Sequence, residues 1–174
     1  MKKTTVMLLG FMFISMNVSA LEKTLRVTTN IDISNLYTDA ITKVEFEPAS
    51  LQLDIQDDRS GFKNEVTTMK VSTDIPMNTS SVGYTSELLR NTTSCTDYFG
   101  EVNPQENFTS VYFDGDLIAI GEKALLKDFK TDDGTYKYSE HSIELKFIPF
   151  SEAISTGPLK ECSGEVEFRV GVDI

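Results

Sequence analysis

The chain has 174 residues, 40% of them hydrophobic, with 27 acidic side chains against 16 basic ones and a formal charge of −11. An acidic chain without basic runs excludes the usual nucleic-acid binder, whose affinity rests on lysine and arginine neutralising phosphates, and it disfavours anionic membrane surfaces. The length suits a single domain with a real core.

Residues 1–20 read as an export signal. Lys2 and Lys3 form a charged start, an apolar run covers Val6 to Ile14, and Val18-Ser19-Ala20 supplies compact residues for cleavage. The run is too short to span a membrane as a helix. Cleavage after Ala20 removes two lysines and no acid, which takes the formal charge to −13.

In residues 21–33, Leu21, Leu25, Val27, Thr29, Ile31 and Ile33 fall on one side of an extended chain, interrupted only by Lys23. Glu22, Thr24, Arg26, Thr28, Asn30 and Asp32 fall on the other. This period-2 pattern predicts a half-buried strand. A strand at an extreme N-terminus either joins its own sheet or is given to another molecule, because unpaired backbone and an exposed apolar face are a liability.

Residues 34–40 are turn-like. Val44-Glu45-Phe46 predicts a strand closed by Pro48, and Leu51, Leu53 and Ile55 predict a second, stopped by Asp57-Asp58-Arg59-Ser60-Gly61. Met69, Val71, Thr73 and Ile75 make the next. Between 78 and 104 the pattern weakens. In 108–120, Asp114-Gly115 sits between two apolar runs and predicts a two-residue hairpin turn. Leu125 and Phe129, four apart, fit one helical turn, and 130–134 reads as a loop. Ile143, Leu145 and Phe147 form a further strand. In the last one, over 165–174, Val166, Phe168, Val170, Val172 and Ile174 alternate with polar residues and glycine. About eight short strands without a repeat or linker predict an all-β, immunoglobulin-like sandwich.

Chemical motifs are absent: there is no glycine-rich phosphate loop, nucleophile elbow or paired-histidine signature, so no enzyme, cofactor or metal is expected. Cys95 and Cys162 read as one disulfide in an exported chain. His141, with neighbours pointing to opposite strand faces, reads as an exposed loop or strand-edge residue. Asp128, Asp132 and Asp133 read as a solvated turn. Tyr84, Tyr98, Tyr136 and Tyr138 are the aromatics available to stack on sugars, although packing is their ordinary use.

The mature N-terminus from Leu21-Glu22-Lys23 through Val27-Thr28 to Ile31-Asp32 resembles the major subunits of class 5 (alpha) fimbriae, the colonisation factor antigen I type of pilin. The likeness continues at Phe46-Glu47-Pro48-Ala49-Ser50, across 108–120 with Phe129, and at Ser163-Gly164-Glu165-Val166. The chain departs at Ile33, where family members often carry proline, and in its two cysteines, which many members lack. The resemblance implies an incomplete immunoglobulin-like sandwich over 34–174, completed by donor-strand exchange. A periplasmic chaperone first fills the groove, and an outer-membrane usher then exchanges it for residues 21–33 of the next subunit. Leu25, Val27, Thr29 and Ile31 would fill the groove, and Val166, Phe168, Val170, Val172 and Ile174 would border it and contact the chaperone.

The expected product is a homopolymer on the cell surface that supports bacterial adhesion, reached by export through the periplasm. A tip adhesin and a host glycan or protein receptor are the further partners of such a fibre. Two alternatives stay open on the sequence: a host-receptor-binding adhesin or minor pilin, and a monomeric secreted β-sandwich that keeps its N-terminal strand for itself.

Overall fold

A computed structural model describes residues 40–155 and 157–172. Its ten strands are β1 (Ile41–Glu47), β2 (Glu65–Pro76), β3 (Tyr84–Asp97), β4 (Val102–Gln105), β5 (Thr109–Phe113), β6 (Asp116–Leu117), β7 (Lys123–Leu126), β8 (Thr131–Asp132), β9 (Tyr136–Phe147) and β10 (Leu159–Val172). All pairings are antiparallel. One sheet runs β1-β2-β9-β5-β6, with β8 beside β9. The other runs β10-β3-β4, with β7 beside the opposite end of β3. The two sheets form an immunoglobulin-like sandwich.

The core lies between them. β2 buries Met69, Val71 and Ile75 on its inner face, where they meet Tyr84 and Leu88 of β3, Val111 and Phe113 of β5, and Ile143 of β9. Tyr84 stacks flat on Phe129, with ring centroids 4.2 Å apart. The predicted Asp114-Gly115 turn joins β5 to β6. Both residues have positive φ, 51° and 94°, as the hairpin turn whose twist matches its strands requires.

The structure corrects the sequence at several places. Residues 51–55 form no strand beyond a single bridge from Ile55 to Phe62. The spacing of Leu125 and Phe129 belongs to strand β7 and the segment after it, not to a helical turn. The weakly patterned region holds β3, one of the two longest strands, at 14 residues. Tyr84 is fully buried and cannot stack on a sugar. His141 is buried in β9 instead of exposed at an edge, because the inner face of that strand carries Lys137, Ser139 and His141 before Ile143.

Candidate functional site

Strands β2 and β10 carry the same kind of alternation, yet they end in different environments. On β2 the inward side chains are buried from Thr67 to Ile75. On β10, Val166, Phe168, Val170 and Val172 pack against the core and are only half-buried. β1 has no buried residue; Ile41 and Phe46 are half-buried. The cause is position. Among the described residues, β10 is hydrogen-bonded only to β3 and β1 only to β2, so each is the last strand of its sheet. They lie on the same side of the sandwich, where the Phe46 and Phe168 rings meet at 6.2 Å.

Between these edges is an open cavity of about 1050 Å³, bordered by Phe46, Leu51, Phe62, Phe108, Leu145 and Val166 among others. Phe62 organises an aromatic cluster at its base, edge-on to Phe108 at 6.2 Å, Phe147 at 5.6 Å and Phe150 at 4.9 Å. Cys95 and Cys162 are register partners on β3 and β10 and are joined by a disulfide, with Cα atoms 4.0 Å apart. The bridge fastens the cavity-side portion of β10 to β3, its only ladder partner among the described residues.

Of the residues singled out in the sequence, Val166, Phe168, Val170 and Val172 lie on the β10 edge, while Leu25, Val27, Thr29, Ile31 and Ile174 lie outside the described residues. Pattern reading missed Phe46, Phe62, Phe108 and Phe147 as one set. They come from four separate segments, and only their aromatic character hinted at shared use.

No family model matches the chain, and no curated protein does. Among solved structures, the CooA pilin subunit from enterotoxigenic Escherichia coli is similar over 74% of this chain and 86% of its own, at 14% identity and a TM-score of 0.49. At that distance the functional reading rests on the groove and not on the likeness.

A second cluster sits inside the sandwich. His141 Nε2 lies 2.5 Å from the Tyr84 hydroxyl and Nδ1 lies 2.7 Å from Asp114. Asp114 also accepts from Lys130 Nζ at 2.7 Å and from the Ser142 N–H at 2.9 Å. Burial lowers the His141 pKa and outweighs the opposing pull of Asp114, so the ring is neutral at pH 7, donating from Nδ1 and accepting at Nε2. Burial likewise pushes the Tyr84 hydroxyl up to about 12. Burial also raises Asp114, but its bonds from Lys130, His141 and Ser142 win and hold it below the usual range.

Nearby, Lys137 is buried and places Nζ 2.8 and 2.9 Å from the two oxygens of Asp128. Asp128 is therefore a paired carboxylate, not part of a freely solvated turn. With His141 only 1% exposed, its imidazole is closed off from solvent. The cluster braces the two sheets, with each polar atom partnered as burial demands. Among the described residues no group of His, Cys, Asp or Glu is arranged to hold a metal ion.

Proposed function

We propose that the chain is a structural pilin whose sandwich is completed by residues 21–33 of a second copy. The observation that carries this reading is the open groove between β1 and β10, where the apolar faces of both edge strands remain half-buried. A strand laid there would gain main-chain bonds from the free side of β10, and alternate side chains would set its register. Residues 21–33 have the matching pattern, with Leu25, Val27, Thr29 and Ile31 on one face.

Full burial of a large aliphatic or aromatic side chain is worth about 1.5–3 kcal/mol. Completing the burial of Val166, Phe168, Val170 and Val172 and covering Leu25, Val27 and Ile31 of the incoming strand would therefore give a tight junction. Charge acts in the same direction: over residues 21–31 Lys23 and Arg26 outnumber Glu22, whereas the chain as a whole is acidic. In this reading export delivers the subunit to the periplasm, a chaperone covers the groove until an usher exchanges it, and the fibre supports adhesion.

The test compares assembly by native size and microscopy for Val27→Asp and Thr28→Asp. A charge at 27 would enter the groove unpaired, at a cost of several kcal/mol, and should abolish fibres, while a charge at 28 faces solvent and should leave them. Deleting 21–33 should leave a chain that folds with its chaperone and does not polymerise. Moving that segment to follow Ile174 through a short flexible turn should give a stable monomer. Equal effects at 27 and 28, or fibres from the deleted chain, would refute the reading. An unaltered chain that stays monomeric would favour the self-contained sandwich.

A further inference from the structure

The two poles of the sandwich are chemically distinct. At one, the turn between β3 and β4 and the first residue of β4 present Tyr98, Phe99 and Val102 with 69%, 79% and 64% of their surfaces exposed. Phe99 is the most exposed large hydrophobic residue among those described. The turn itself is firmly built: the Phe99 and Glu101 N–H groups donate to Asp97 Oδ1 at 2.8 and 3.0 Å, and the Tyr98 N–H donates to the Pro158 carbonyl at 3.1 Å. A rigid turn that holds aromatics in water has the character of a contact surface. At the opposite pole Met77 and Tyr136 are exposed side by side, where the Met77 N–H donates to the Thr135 carbonyl and Pro76 pairs with Tyr136. The chain enters β1 at this second pole, since the Ala40 carbonyl accepts from the Asp74 N–H at 3.0 Å.

We infer that Tyr98, Phe99 and Val102 of one copy dock against Met77 and Tyr136 of the copy that fills its groove. The inference rests on the proposed strand insertion and adds to it a body-to-body contact. Residues 21–33, at about 3.3 Å each, extend roughly 43 Å, nearly the length of the 14-residue β10. An inserted strand of that length leaves the groove at a pole.

Antiparallel addition gives the slightly stronger ladder. Because β10 runs from the Leu159 pole to the Val172 pole, an antiparallel strand exits beside Leu159, which pairs with Asp97 next to the aromatic turn. From Ile33 to Ala40 the chain reaches at most about 25 Å. The incoming body is thereby tethered, by its Met77 and Tyr136 pole, over Tyr98 and Phe99. A contact between two different surfaces on identical subunits repeats head to tail, and it gives a filament where its rotation does not close a ring.

The experiment is hydroxyl-radical footprinting of the unaltered chain before and after assembly, read residue by residue by mass spectrometry. Oxidation of Tyr98, Phe99, Met77 and Tyr136 should fall severalfold in fibres, while Leu117, on the far edge of the six-stranded sheet from β1, should react as before. Fibres in which Tyr98 and Phe99 stay as reactive as in the free chain would overturn the contact and leave strand insertion standing. Protection of Met77 and Tyr136 without Tyr98 and Phe99 would mean parallel insertion and would also overturn it. Protection that includes Leu117 would mark general aggregation and count against it. A chain that never assembles would remove the reading on which it rests.

Discussion

Reducing the Cys95–Cys162 bridge tests how the groove edge is held. The two cysteines are 67 residues apart in sequence and close the only covalent loop in the chain, bringing β10 to β3. The chain-entropy relation for a loop of this length gives about 4.4 kcal/mol at 25 °C. Because Cys95 is fully buried, replacing both residues by alanine would add a cavity cost. Reduction leaves two thiols in place and isolates the cross-link. At a urea slope of about 2 kcal/mol/M, the loss should lower the unfolding midpoint by about 2 M. The assay is urea unfolding followed by far-UV circular dichroism, since the chain has no tryptophan. It is run with and without reductant on the monomer whose segment 21–33 follows Ile174. A midpoint that moves by less than about 0.5 M would refute the reasoning, because at this slope it corresponds to about 1 kcal/mol. β10 would then be held by its ladder and packing alone.

Two further outcomes follow from particular contacts. His141 is the only histidine, and its folded pKa is lowered by burial from 6.5. Below about pH 6.5 the unfolded chain takes up a proton that the folded one refuses, so stability should be full above that pH and decline as pH falls toward 5.5. Thermal melts across this range should show the decline, and His141→Gln should be less stable at pH 7 yet flat; an unchanged slope in that variant would exclude the imidazole as its source. Gly164 has no room for a side chain, as a Cβ there would sit 2.5 Å from the Thr92 carbonyl oxygen. Gly164→Ala should cost about 1–3 kcal/mol, read as a lower melting temperature, and a neutral result would mean that β3 and β10 separate freely at that point.

The sequence by itself determined those elements whose one face is apolar throughout. Met69 to Ile75 and Val166 to Val172 announce strands because hydrophobic burial repeats every second residue. Asp114-Gly115 announces its turn because few residue pairs accept positive φ twice in succession. The disulfide followed from a lone pair of cysteines behind a segment that reads as an export signal.

Tertiary structure alone decided β3. Its inward face includes the polar residues Ser86, Asn91, Thr93 and Asp97, and two of them find partners that no local pattern reveals: Asn91 donates to the Thr109 carbonyl and Thr93 meets the Thr109 hydroxyl. An extra residue at Leu89, opposite the step from Glu167 to Phe168, shifts the alternation by one. His141 reads as a surface residue until Tyr84, 57 positions away, and Asp114, 27 away, satisfy both of its nitrogens.

The groove depends most on assembly in space. Period-2 pattern specifies which face of β1 and β10 is apolar, but not that both strands are the last in their sheets and lie on the same side. Edge position is a property of strand order, which forms only when segments more than a hundred residues apart pack together. For that reason Val71 and Val170 look alike in sequence, and one is sealed in the core while the other stays half-exposed at an open edge.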